Sequence, residues 1–209
     1  MLAESESLMG TISGFARIKK GEITVDGRSY FRADSEATEQ FLMGAYSALS
    51  LNYPKFYKMD QLSRLGFLAA EVLISNYDLK HYTPFEIAVV LSNAHSSLDS
   101  DVRYYEASRK VASPALFVYT LPNIVAGEIC IRHTIKGENA FFVTQAFDAE
   151  LLFHYVKAAM SDGVTKACVA GWVDVWKEHY DVLLYLVEED GRGLKLRHAV
   201  EEIKRLYDN

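Results

Sequence analysis

Two cysteines are the side chains of this sequence best suited to nucleophilic chemistry. Cys130 stands between Ile129 and Ile131 in a predicted helix, and Cys168 lies in a predicted buried strand. A reactive thiol needs a nearby positive charge or a helix N-terminus to lower its pKa, and neither position begins a predicted helix. Both cysteines are therefore predicted to be packed in the core, as most buried free cysteines are.

The acid–base residues do not form a recognisable constellation. The histidines stand at positions 81, 95, 133, 154, 179 and 198, and no His, Cys, Asp or Glu residues have metal-ligand spacing. No glycine-rich phosphate loop is present. His95 is predicted to lie in a polar loop, with Asp99 or Ser100 as the N-cap of the next helix. The acidic run 188–190 is predicted to be a solvated strand end. No metal and no cofactor are expected.

Composition excludes several classes of protein. The chain has 209 residues, half of them hydrophobic, with a net charge of −6 and a pI of about 5.5. An acidic chain without a basic cluster is a poor candidate for nucleic-acid binding. No apolar run reaches the roughly 18 residues of a membrane span. Residues 1–9 are too acidic and polar for a signal peptide, and two apolar-flanked cysteines favour a reducing compartment. We expect one cytoplasmic domain over residues 1–209.

The elements that would position these residues alternate between strands and helices. Period-2 and buried apolar runs predict strands at Ile12–Ile18, Glu22–Val25, Ser29–Phe31, Phe85–Leu91, Ala140–Thr144, Lys166–Gly171 and Val182–Glu188. Helical periodicity predicts helices over residues 59–75, from Asp99 or Ser100 to Arg109, and over 123–133, 147–159 and 196–207. Residues 34–53 are ambiguous, with Asp34 or Ser35 as the cap of a short helix, and residues 113–123 read as an extended loop. The pattern predicts an α/β fold with a sheet covered on both faces.

Segment 121–174 has Asn123, then Gly127 four residues later, then Lys136-Gly137 before a predicted strand, and in this order it resembles the β-ketoacyl-acyl-carrier-protein synthases. The family pattern has an asparagine, a glycine four residues later, a helix, a Lys/Arg-Gly turn before a strand, and the nucleophile after that strand. Residues 58–65 and 181–189 resemble two further family segments, so the similarity spans residues 55–190 in order. It implies a single half of the thiolase-type fold. The positions that match are Asn123, Gly127, Gly137, Thr144, Gly163 and Gly171.

The sequence departs from this family at the nucleophile. An ungapped match puts Ala146 where the family has its cysteine, and a one-residue slip puts Gln145 there. Neither side chain can form the thioester on which the condensation depends. In the chain-length-factor subunits of aromatic polyketide synthases a glutamine replaces the cysteine, and those subunits pair with an active synthase and shape its tunnel. The second half of the fold, which supplies the decarboxylation residues, is not matched.

The resemblance implies a non-catalytic accessory subunit in fatty-acid, polyketide or polyene synthesis. We expect a homodimer, or a heterodimer with a full-length ketosynthase, formed through the predicted strand Ala140, Phe141, Phe142, Val143 and Thr144. An acyl carrier protein is a further expected partner, for which a basic patch is needed. The residues that could supply it are Arg103, Arg109, Lys110, Arg132 and Lys136. Two alternatives stay open: an acyltransferase with a rearranged nucleophile, and a scaffold that has lost lipid chemistry.

Overall fold

A mixed sheet forms the centre of the computed structural model, which describes residues 10–33, 37–111 and 113–208. The strands are β1 Thr11–Lys19, β2 Glu22–Val25, β3 Arg28–Arg32, β4 Ile87–Asn93, β5 Asn139–Val143, β6 Ala167–Trp176, β7 His179–Glu188 and β8 Leu196–Arg197. They follow the order β3-β2-β1-β7-β6-β4-β5 in the sheet, and β8 pairs with β1. Strands β4, β5 and β6 are parallel, and the other pairings are antiparallel.

Helices cover both faces of this sheet. The α-helices are α1 Thr38–Ala48, α2 Gln61–Asn76, α3 Leu98–Ser108, α4 Pro114–Val118, α5 Ile124–His133, α6 Ala149–Met160 and α7 Val200–Asp208, and short 3-10 helices span Pro54–Lys58 and Pro84–Glu86. One apolar core lies between the sheet and helices α1, α2 and α5, and a second lies between the sheet and helices α6 and α7. The predicted α/β fold with two covered faces is confirmed.

The buried strands and helix α2 follow from their sequences. All seven residues of β4 are buried, as expected for a parallel strand covered on both faces. Helix α2 begins at Asp60, whose carboxylate accepts a hydrogen bond from the Ser63 backbone N–H at 2.9 Å. Gly66 brings α2 close to α5, because a Cβ at this position would lie 2.3 Å from Val125.

Three local expectations differ from the structure, and the structure assigns the segment that was ambiguous in sequence. Helix α3 is capped by Ser97 rather than by Asp99 or Ser100. The loop expected over residues 113–123 contains helix α4, whose N-cap is Ser113. The closing helix expected over residues 196–207 is divided, because Leu196 and Arg197 pair with β1 before α7 begins. The ambiguous segment contains α1, and the suggested caps Asp34 and Ser35 lie outside the described residues.

Substitution by alanine should have opposite effects on stability at two glycines of the family pattern. Gly171 has a φ of +154°, and a Cβ there would lie 1.9 Å from the Leu183 carbonyl oxygen. Gly171→Ala should therefore lower the free energy of unfolding by about 3 kcal/mol or more. Gly127 lies inside α5 with open space around it, so Gly127→Ala should raise stability by about 0.5–1 kcal/mol. Urea unfolding measures both effects, and equal stabilities would contradict this packing.

Candidate functional site at the carboxyl edge of the sheet

The carboxyl ends of β4, β5 and β6 meet at one edge of the sheet, where α/β folds commonly place their sites. Beyond β5, the Thr144 backbone N–H donates to the Asn93 carbonyl oxygen at 2.9 Å. The loop after β4 and the turn after β5 are thereby held side by side. The segment that the family resemblance assigns to the nucleophile lies in this turn.

The turn of residues 144–147 presents Gln145 and Ala146 to solvent. The Thr144 hydroxyl donates to the Ala146 carbonyl oxygen at 2.8 Å within the turn. Helix α6 begins only at Ala149, with Asp148 as its N-cap, accepting from the Leu151 N–H at 2.9 Å. The helix expected from position 147 therefore starts two residues later, and Ala146 stands outside the first turn, where a helix dipole has its largest effect.

A histidine–aspartate pair lies at the same edge. Asp174 of β6 accepts hydrogen bonds from the backbone N–H groups of Ala94 and His95, each at 3.0 Å. Its second oxygen lies 2.8 Å from Nδ1 of His95. The His95 ring also stacks on Trp176, with 6.1 Å between centroids and 7° between planes. His95 is thus a loop residue fixed by three contacts, rather than a free solvated one, and Asp174 holds the loop.

An aromatic cluster packs behind the turn. Phe147 stacks on Tyr207 of α7, with ring centroids 3.9 Å apart, and meets Trp172 edge-on at 5.9 Å. Arg17 of β1 is buried beneath this cluster and donates to the Tyr207 carbonyl oxygen at 2.9 Å and to Asp181 at 2.8 Å. Burial and the Asp181 carboxylate raise the pKa of the Tyr207 hydroxyl, so it stays neutral.

The cysteines lie away from this edge in chemically inert surroundings. Cys168 is fully buried in β6, and burial raises the pKa of its thiol far above the ordinary value. Burial raises the pKa of Cys130, on α5, to about 11. Thiols with raised pKa values are poor nucleophiles at neutral pH. Across the described ranges, no group of three or more His, Cys, Asp and Glu side chains is arranged to hold a metal ion.

The remaining family-pattern residues lie at structural positions. Asn123 is the N-cap of α5, without a side-chain capping bond. Gly137 abuts the strand start, since a Cβ there would lie 2.3 Å from the Ile87 carbonyl oxygen. Gly163 has a φ of +77°, in the turn that ends α6. These residues shape the elements around the site.

The five basic residues suggested for a carrier-protein patch are separated. Arg103, Arg109 and Lys110 lie on or after α3, which follows the carboxyl end of β4, and Arg103 pairs with Asp99 at 3.1 Å. Arg132 pairs with the buried Glu71. The backbone N–H of Lys136 donates a hydrogen bond to the Pro84 carbonyl oxygen, at the amino end of β4. The five residues therefore do not form one surface.

Comparison with known proteins identifies the class of fold. No family model and no curated protein sequence matches the chain, whereas many solved structures do. Those described below contain ketosynthases, and the chain has the ketosynthase-like, thiolase-type fold predicted from its sequence. In the described part of the chain, no helix combines the length and apolar content that crossing a bilayer requires.

Three of these structures are particularly informative. The ishigamide ketosynthase/chain length factor is 16% identical, with a TM-score of 0.62, over 88% of this chain and 63% of that chain. The complex of the ketosynthase ApeO with its chain length factor ApeC from Xenorhabdus doucetiae is 11% identical, with a TM-score of 0.58, over 95% of this chain and 90% of that chain. The third structure is a type II polyketide synthase acyl carrier protein in complex with its ketosynthase. The matched chain of this complex is 14% identical, with a TM-score of 0.60, over 86% of this chain and 62% of that chain.

The chain therefore spans less than two thirds of the first and third of these chains. The chain matched in the ApeO–ApeC complex is close to this one in length, because the two covered shares are nearly equal. A chain of about this length thus occurs in a complex between a ketosynthase and a chain length factor.

Proposed function

We propose that this protein is a non-catalytic ketosynthase-like subunit that binds an active ketosynthase in fatty-acid, polyketide or polyene assembly. The observation that carries the proposal is the turn of residues 144–147. At the position that corresponds to the nucleophile, it offers Ala146 and Gln145 in place of a thiol. The two cysteines of the chain have raised thiol pKa values and lie elsewhere. The fold is kept while its nucleophile is missing, which favours a binding role.

Of the two edge strands of the sheet, β5 is the one suited to pairing with a partner chain. The edge strand β3 carries Arg28 and Arg32, and charged residues are a common protection of edge strands against pairing. The opposite edge strand, β5, has no charged residue, and its last residue, Val143, is 53% exposed. An uncharged, partly apolar edge of this kind is suited to pairing with a strand of another chain.

The backbone of β5 specifies which groups would pair. The Glu138 carbonyl oxygen accepts from the Val89 N–H, and the Thr144 N–H donates to the Asn93 carbonyl oxygen. The backbone groups of Glu138 and Thr144, at the two ends of β5, therefore face β4. Because the pairing side alternates along a parallel strand, Asn139, Phe141 and Val143 direct their backbone groups outward. We infer that these residues form the hydrogen bonds to the partner, either a ketosynthase or a second copy of this chain.

A second apolar surface lies on α3 and α4, which follow the carboxyl end of β4 in the chain. The α3–α4 patch consists of large side chains that are each at least 40% exposed: Leu98, Val102, Tyr105, Leu116, Phe117 and Val118. The Ser97 hydroxyl donates to the Thr120 carbonyl oxygen at 2.8 Å and ties the two helices to the loop after β4. Exposed apolar groups on two packed helices are typical of interaction surfaces.

We further propose that the chain forms a single domain and is located in the cytoplasm. One sheet runs through all the described strands and both cores pack on it, which supports a single domain over residues 1–209. A cytoplasmic location agrees with two free cysteines. An acyl carrier protein would reach the assembly through the ketosynthase, since the five basic residues considered above form no common patch.

Co-expression with each ketosynthase of the source organism tests the proposal. The tagged chain should retain one ketosynthase through affinity and size-exclusion steps, and light scattering should give the mass of a one-to-one complex. A chain that elutes alone or only as a homodimer in every pairing would overturn the heterodimer. A matched control is an unrelated thiolase-fold enzyme of the same organism, which should not be retained.

A further inference from the structure

We infer that Tyr207 is a positioning residue for the turn of residues 144–147. Its ring holds Phe147 and so fixes Gln145 and Ala146, which directly follow the β5 edge proposed to pair with the partner. This inference rests on the proposed function, because it assigns a role to the same turn.

The first support is the anchoring of Tyr207 itself. Arg17 is only 6% exposed, and its guanidinium carbon lies 5.0 Å from the centre of the Tyr207 ring. The same group donates to the Tyr207 carbonyl oxygen and to Asp181. A buried cation that binds the last turn of a helix is doubly favourable, because it satisfies a carbonyl group and opposes the helix dipole. The ring is therefore fixed from β1.

The second support is the position of Phe147 between Tyr207 and Trp172. The face-to-face contact with Tyr207 has a 6° angle between planes, and the edge contact with Trp172 has an 87° angle. Both are favoured aromatic geometries. Trp172 is 3% exposed, so Phe147 covers it from the side of the turn.

The third support is the way in which the turn is otherwise held. Thr144 fixes its first residue through the bond to Asn93, and Asp148 fixes the start of α6. Gln145 and Ala146 are exposed between these two points. Phe147 is the apolar residue of the turn that packs inward, so its stacking partner decides how firmly the exposed pair is held.

The stacking of Tyr207 on Phe147, here called the clamp, can be tested separately from the folding of α7. Ile203 and Leu206 of this helix are fully or almost fully buried in the core with α6, whereas the Tyr207 ring packs against that core only from its margin. Removal of the ring should therefore loosen the turn while the helix stays in place. Tyr207→Phe keeps the stacking surface and removes only the hydroxyl, which makes it the matched control.

Two measurements on the full chain test the inference. In a Trp176→Phe background, Tyr207→Ala should make Trp172 several-fold more accessible to acrylamide quenching, with circular dichroism unchanged, and Tyr207→Phe should not. In the complex with the ketosynthase, Tyr207→Ala should weaken affinity roughly tenfold, as expected for the loss of an aromatic pair and its burial. Tyr207→Phe should stay within about twofold of wild type.

A double-mutant cycle gives the decisive outcome. If Tyr207 acts through Phe147, the Tyr207→Ala and Phe147→Ala substitutions together should weaken binding no more than either alone. Additive losses, or wild-type affinity for Tyr207→Ala, would overturn the positioning role. Unchanged quenching in Tyr207→Ala would also overturn it, and this readout needs no partner. Failure of the wild-type chain to bind any ketosynthase would instead reject the proposed function, while the quenching result would still decide whether the clamp exists.

Discussion

Val143→Pro should abolish most of the affinity for a partner while the protein remains folded. The Val143 N–H points away from β4, so proline at this position removes no bond of the sheet, and edge positions are where strands tolerate proline. Its ring blocks the approach of a second strand and removes an outward donor. The expected loss is roughly 30- to 100-fold in affinity, which corresponds to two or three backbone hydrogen bonds. Titration calorimetry with the ketosynthase measures it.

The controls separate pairing from folding. Val143→Thr keeps both the N–H and a β-branched side chain, so it should bind within about threefold of wild type. Phe142→Pro removes an N–H that faces β4, so it should lower stability by about 2 kcal/mol or more. Wild-type affinity for Val143→Pro would show that the β5 edge is not the interface and would direct attention to the α3–α4 patch.

Acid should destabilise the protein through His198. The imidazole is 7% exposed and packs against Phe153 and Tyr185, and burial lowers its pKa to about 4. In the unfolded chain the pKa is about 6.5, so the unfolded state binds more protons between these two values. Stability should therefore be full above pH 6.5 and fall as the pH decreases, by about 2 kcal/mol at pH 5.

The substitution His198→Phe isolates this effect. Phenylalanine fills the same apolar surroundings and does not titrate, so the slope of stability against pH should decrease between pH 6.5 and 5. A part of the slope should persist, because burial also lowers the pKa of His133. Urea unfolding at several pH values gives the slopes. Parallel curves for wild type and His198→Phe would contradict the neutral, buried state of His198.

Periodicity made the core elements predictable. The apolar patterns of helix α2 and of strands β4, β6 and β7 each predict one type of element, because each element is buried along a continuous face or on both faces. The elements that were missed are short or locally ambiguous. Helix α4 is five residues long, and β8 consists of two residues held by pairing with β1. Such elements depend on tertiary contacts that a local pattern does not contain.

The site was predictable only in part. The resemblance located the turn of residues 144–147, but not its separation from α6, which follows from the capping side chain of Asp148. The Arg17 bond to Tyr207 joins residues 190 apart, and the His95 contact with Asp174 joins residues 79 apart. Single residues of these pairs carry no signal in sequence, because each becomes informative only when the fold brings it to its partner.

The most direct test of the central claim is intact-mass analysis of both chains after the purified complex has been incubated with an acyl thioester donor. A subunit without a nucleophile predicts that the acyl mass appears on the ketosynthase alone and that this chain keeps its unmodified mass. An acyl adduct on this chain, removable by hydroxylamine, would contradict the account and would return Cys130 or Cys168 to the search for a catalytic residue.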